Sequence, residues 1–211
     1  MFPLYVILDV ALAAERGYES VELARRFFDG GARLLQLRAK DASSGQFLEW
    51  ADGVCAAARE CEALVVINDR ADIALMAGAG GVHVGQDDMP PEAVRRIAAG
   101  PLQVGLSTHT SRQIAAASRE PIDYLAIGPV FATGTKDTGY EAVGLGMVAE
   151  ASRNAARLPV VAIGGITLET APRVREAGAA SVAVISDLLS TGDPAARVRE
   201  YLNVLGSGHR A

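Results

Sequence analysis

Three polar residues alternate where an apolar run ends. Gln36, Arg38 and Lys40 fall on one face of an extended chain, with Leu37 and Ala39 on the other. An arginine two residues from a lysine, both aimed into a shared mouth, suits a polyphosphate. Structural salt bridges at a solvated strand end are the alternative. Two later runs end in acids, Asn68-Asp69-Arg70 and Gln86-Asp87-Asp88. If these runs are neighbouring strands, ~4.8 Å apart, carboxylates at their two ends can converge on one oxygen-ligated cation. Two carboxylates completed by phosphate oxygens and water is the usual way to hold Mg²⁺. Each acid could instead cap a helix, Asp69 before Ala71-Asp72-Ile73 and Asp88 before Pro90.

Four further segments carry candidates. Ser107-Thr108-His109-Thr110 offers a hydroxyl donor in Ser107, an N-cap in Thr110 and, in His109, either a proton shuttle or a structural ring. The stretch from Gly128 to Asp137 holds Thr133, Gly134, Thr135 and Lys136, the hydroxyls, amides and ammonium that ligate phosphates. It exceeds the usual 2–6 residues of an α/β connection, which predicts a cover over a site. Gly164-Gly165-Ile166 and Ile185-Ser186 complete the set; glycine lets backbone amides approach an anion closely. His83 sits inside an apolar run and reads as structural.

Eight short β-branched runs place these residues: Leu4–Leu8, Arg33–Leu37, Leu64–Ile67, Gly81–Val84, Gln103–Leu106, Tyr124–Ile127, Val160–Ile163 and Ser181–Ile185. Continuous apolar runs of this length fit strands buried on both faces. Helical stripes lie between them, as in Phe47, Trp50, Ala51, Val54, Ala58 and Cys61, or Val21, Ala24 and Phe28. Pro90-Pro91 opens one helix, Gly178 closes another, and Pro172 moves the start of that helix from Thr167 to Thr170. Strict alternation without a linker predicts a single (β/α)8 barrel over residues 1–205, with 206–211 as a tail. An open doubly wound sheet would carry a Gly-rich loop after its first strand, and Asp9–Ala14 has none.

Every candidate then follows a strand, where barrels keep their chemistry. Strands 2 to 4 form a metal-assisted anion site. Strands 7 and 8, with a short helical turn over Asp187–Ser190, form a metal-free one. Two phosphorylated groups are implied, on one substrate or on two.

Composition narrows the class. The 211 residues are 50% hydrophobic and 5% aromatic with net charge −5, enough apolar matter for a sizeable core and no basic surface for nucleic acid. The longest stretch free of Asp, Glu, Lys and Arg, Ile97–Ser111, is too short and too polar to span a membrane. Phe2–Leu8 lacks a basic flank and stops at Asp9, so no signal peptide is expected and the cytoplasm is. Cys55 and Cys61 stand about 9 Å apart along one helix axis, too far for a disulfide, and read as two buried thiols.

Taken together, the motifs resemble those of the thiamine-phosphate synthases. They are Gln36-Leu37-Arg38-Ala39-Lys40, Ile67–Asp72, Gly81–Asp88, Gly105–His109, Gly128–Phe131 with Thr133–Lys136, Ala162–Ile166 and Val184–Ser186, in family order along nearly the whole chain. The resemblance implies a Mg²⁺-dependent transferase that joins a hydroxymethylpyrimidine diphosphate to a thiazole phosphate and releases diphosphate. By motif, Gln36, Leu37, Arg38, Ala39, Lys40, Asn68, Ser107 and Lys136 would hold the pyrimidine diphosphate. Asp69 and Asp88 would ligate Mg²⁺, and Thr133, Gly134, Thr135, Gly165, Ile185 and Ser186 would hold the thiazole phosphate. Lys136, Arg38 and Ser107 would act on the leaving group. Small molecules are then the partners, with neither nucleic acid nor membrane. The related thiazole tautomerases, phosphosugar isomerase barrels and non-catalytic phosphometabolite binders are rival readings; none needs these cations and both acids at once.

Overall fold

Residues of the eight strands alternate between two cores. The computed structural model describes residues 1–98, 100–133 and 139–206. Its strands are β1 (Leu4–Asp9), β2 (Leu34–Arg38), β3 (Leu64–Asn68), β4 (Gly81–Val84), β5 (Gln103–Thr108), β6 (Tyr124–Ile127), β7 (Val160–Ile163) and β8 (Ser181–Val184). All pair in parallel in chain order, and β1 closes on β8. Val6, Leu35, Ile67 and Val82 face outward and pack with Phe27, Ala51 and Val54 of the helices. Tyr5, Ile7, Leu34, Val66, Tyr124 and Val161 face inward and form a smaller second core. Burial of each such aliphatic side chain contributes ~1.5–3 kcal/mol, which is why the runs read as continuous apolar stretches.

The helices are α1 (Val10–Glu15), α2 (Ser20–Asp29), α3 (Ser44–Arg59), α4 (Ala71–Ala77), α5 (Pro91–Ile97), α6 (Ser111–Ala117), α7 (Gly144–Asn154), α8 (Ala171–Glu176) and α9 (Pro194–Gly206). Local chemistry sets their starts. Thr110 Oγ1 accepts from Gln113 N at 3.2 Å and opens α6, and Asp193 Oδ1 accepts from Ala196 N at 2.9 Å and opens α9. Thr167 and Thr170 bond each other in a turn ahead of α8, so the helix starts past Thr170 and tolerates Pro172 in its first turn.

Some boundaries depart from the sequence reading. β5 runs on to Thr108, which puts Ser107 inside a strand. β8 stops at Val184, and a 3₁₀ turn takes over at Ser186–Leu189. Gly206 ends α9 rather than opening a tail. α3 stops at Arg59 and the chain turns through Glu62 at φ +55°, so Cys61 is off the helix and only half-buried. Cys55 faces the core of α3, and burial pushes its thiol up to about 11. The thiolate is the reactive form. A thiol reagent at pH 8 should therefore label Cys61 of the native protein first and reach Cys55 only after denaturation; equal native rates would contradict this packing.

Candidate functional site

The C-terminal ends of the strands surround a cavity of about 500 Å³. Its floor is apolar, from Ile7, Ala126, Val161 and Ile163, and its rim is polar. That division suits ligands with an apolar body and charged ends. Of the expected residues, Gln36, Arg38, Lys40, Asn68, Asp69, Asp88, Ser107, Thr133, Gly165, Ile185 and Ser186 all line it. Leu37 and Ala39 do not. Leu37 is fully buried against the helices and Ala39 packs beside it, as alternation along β2 requires. Gly134, Thr135 and Lys136 lie outside the described residues.

One side of the mouth concentrates charge. Lys40 Nζ meets Asp69 Oδ2 at 2.5 Å, and the Asp69 and Asp88 carboxyls lie within hydrogen-bonding reach of each other. Burial, then the neighbouring Asp88, holds the Asp69 carboxyl above the usual carboxylate range, while Lys40 pulls it down. The helix-capping alternative fails for both acids. α4 and α5 begin after Arg70 and Pro90, with no side-chain cap on either. Asp88 Oδ2 instead accepts from Gly85 N at 2.8 Å. Asp69 adopts φ +62°, a left-handed conformation uncommon outside glycine and found at binding sites, and its N–H donates to the His83 carbonyl at 2.7 Å. Among the described residues no three His, Cys, Asp or Glu side chains group as a metal site. A cation on this oxygen pair would need ligands from substrate or water.

Arg38 is held by Asp9, the last residue of β1, whose other oxygen accepts from Leu12 N at 3.1 Å and caps α1. Sequence reasoning missed Asp9 as a site residue. The register pairs it directly with Arg38, information that a single strand does not contain. It also missed His83, whose ring enters the cavity with Nε2 2.8 Å from Ser107 Oγ. The alternation Gly81-Val82-His83-Val84 carried that signal, because Val82 and Val84 must face the helices.

The opposite side is built from backbone and hydroxyls. Gly164 and Gly165 have φ of +103° and +62°, and a Cβ on Gly165 would stand 2.6 Å from the Ala132 carbonyl oxygen. Phe131 N donates to Gly164 O at 3.0 Å. The glycines are thus required for docking the root of the loop that follows β6, besides opening the backbone to a ligand. Ser186 starts the 3₁₀ turn, and the adjacent Asp187 is neutralised by Arg197 at 2.9 Å. His109 is anchored: its Nδ1 lies 2.5 Å from Gly128 O, and its ring stacks on Tyr140 at 4.0 Å.

Comparison with known proteins shows the family. The family profile described as thiamine monophosphate synthase matches residues 4–188. A thiamine-phosphate synthase of Koribacter versatilis is 45% identical over 97% of this chain and 96% of its own. One from Synechococcus sp. is 44% identical over 90% of this chain, which spans 53% of that longer relative. The solved thiamine phosphate pyrophosphorylase of Pyrococcus furiosus superposes with a TM-score of 0.89 at 32% identity, covering 99% of this chain and 97% of that one.

The crowded acids generate a test. Replacing Asp69 or Asp88 with Asn removes like-charge crowding rather than a helix cap. Each variant should melt no lower than the parent. A fall of several degrees in Tm would mean that the pair serves the fold.

Proposed function

The chain belongs to the thiamine monophosphate synthase family, and from this we propose that it joins a hydroxymethylpyrimidine diphosphate to a thiazole phosphate, forming thiamine phosphate and diphosphate. The observation that carries the reading is the pairing, in one cavity, of the Arg38–Lys40–Asp69–Asp88 cluster with the Gly165–Ser186 end. The first matches a diphosphate with a divalent cation, the second a monophosphate.

The donor set fits Mg²⁺. Asp69 and Asp88 offer hard oxygens, lie close enough to share one ion, and crowd negative charge that a cation relieves. When bound, Mg²⁺ would neutralise charge on the departing diphosphate. The chain's own residues do the rest. Arg38 and Lys40, with Lys136 from the sequence after β6, hold the diphosphate and take up the charge it gains on leaving. Ser107 donates a hydrogen bond, and Gln36 and Asn68 flank the pyrimidine. Leu37 and Ala39 can contribute only backbone groups. Ile7, Val161 and Ile163 exclude water from the electron-deficient methylene. Thr133, Gly134, Thr135, Gly165, Ile185 and Ser186 hold the thiazole phosphate so that the ring nitrogen, already a free nucleophile, meets that methylene. No general base is needed, which agrees with His109 being fastened between a carbonyl and a tyrosine ring. No described helix is long and apolar enough to cross a membrane, and a cytoplasmic location goes with phosphorylated substrates.

A coupled assay with both substrates tests the reading. Product should form with Mg²⁺, vanish in EDTA and return on adding the ion. Asp69→Asn and Asp88→Asn should each cost about 10²–10³ in kcat. Full activity in EDTA would remove the metal assignment. Ser186→Asp separates the two phosphate sites. It should raise KM for the thiazole phosphate about tenfold or more through like-charge contact, with KM for the pyrimidine diphosphate little changed. Equal weakening of both would overturn the assignment of the β8 end.

A further inference from the structure

A line of hydrogen bonds crosses the inside of the barrel beneath the cavity. Gln36 Nε2 donates to the Tyr5 hydroxyl at 3.0 Å. The Tyr5 and Tyr124 hydroxyls are 3.0 Å apart, and the Tyr124 hydroxyl lies 3.1 Å from His83 Nδ1. His83 Nε2 lies 2.8 Å from Ser107 Oγ. Five strands contribute one residue each, and Tyr5 and Tyr124 are 119 positions apart in sequence.

The direction of the line follows from counting protons. An amide nitrogen only donates, so the Tyr5 oxygen accepts from Gln36; turning the Tyr5 proton to Tyr124 is the arrangement that gives this buried proton an acceptor. The Tyr124 proton then turns to His83 Nδ1. An imidazole that accepts at Nδ1 carries its proton at Nε2, which donates to Ser107 Oγ. The Ser107 proton is thereby directed away from His83, into the cavity that Ser107 lines. Burial holds both tyrosines above their ordinary range, so neither loses the proton it passes on.

The sheet makes room for this line. Register places His83, Gly105 and Tyr124 side by side on β4, β5 and β6. The His83 and Tyr124 rings stack at 5.6 Å over Gly105. A Cβ on Gly105 would fall 2.1 Å from Tyr124 Cζ and 2.5 Å from His83 Nδ1. Any side chain there would part the two rings.

We propose that Gln36, Tyr5, Tyr124 and His83 form a one-directional hydrogen-bond chain in which His83 is a positioning residue, fixing the Ser107 hydroxyl as a donor toward bound substrate. That the recipient is the diphosphate substrate rests on the function proposed above; the polarity of the chain does not.

The test has a substrate-free arm and a kinetic arm. Long-range ¹H–¹⁵N spectra of the free protein, with His83 assigned by its loss in His83→Gln, should show the neutral Nε2–H tautomer. Tyr124→Phe keeps the ring but removes the donor to Nδ1, and should turn this signature into a mixture of tautomers. In the assay, Tyr124→Phe should lower kcat/KM for the pyrimidine diphosphate about 3–10-fold, the worth of one hydrogen bond. The same change in a Ser107→Ala background should cost nothing further. An Nδ1–H or doubly protonated His83 in the parent protein would overturn the chain's direction, whatever reaction the enzyme runs. An equal loss with and without Ser107 would show that Tyr124 serves the fold and not Ser107.

Discussion

Two carboxylates held against each other in a half-buried mouth demand positive charge, and the ends of β1 to β4 are arranged around that demand. Asp69 and Asp88 follow the neighbouring strands β3 and β4, and Lys40, just past the end of β2, leans onto Asp69. Arg38, one strand over, is kept at the same rim by Asp9. An ion pair this poorly exposed adds little net stability, because desolvation offsets the attraction. What it contributes is placement: a guanidinium pinned on one side keeps its remaining donors aimed at the cavity. The strained backbone of Asp69 at φ +62° fits the same account, since the fold tolerates it to keep two like charges together.

Across the cavity the problem is solved without excess charge. Gly164, Gly165 and Ser186 present backbone and hydroxyl groups, and the nearby acid, Asp187, is already balanced by Arg197. The two ends therefore differ in kind. One is electrostatically loaded and suited to a polyanion with its cation; the other presents glycine backbone and hydroxyls and suits a single phosphate. Between them lies an apolar wall of Ile7, Val161 and Ile163, which would keep water from atoms reacting there. The hydrogen-bonded row below the wall stiffens this arrangement before any ligand arrives, and donors fixed in advance cost no reorganisation when charge develops.

The fold was largely legible in the sequence because strands buried on both faces leave continuous apolar runs, and eight of them leave few architectures. The charged half of the site was legible for a related reason. Gln36, Arg38 and Lys40 break an apolar pattern at every second position, which is costly unless they meet a ligand or one another. The capping alternative for Asp69 and Asp88 could be settled only by seeing where their oxygens point. What escaped was whatever depends on contacts between distant strands. Asp9 looked like an ordinary strand end until the register set it beside Arg38. Tyr5 and Tyr124 were hidden inside apolar runs, and His83 read as a structural histidine, because nothing local says that their polar atoms meet. Gly105 gave no signal either: a glycine in a strand is mute until the rings on both sides are placed.

The central claim is that one barrel mouth binds two phosphorylated ligands at once, only one of them through a divalent ion. Isothermal titration with inorganic diphosphate and the thiazole phosphate tests it most directly. Diphosphate should bind with Mg²⁺ and not in EDTA. The thiazole phosphate should bind one to one in either condition, and still bind when Mg²⁺–diphosphate saturates the protein. Mutual exclusion of the two ligands, or an equal loss of both in EDTA, would contradict the account.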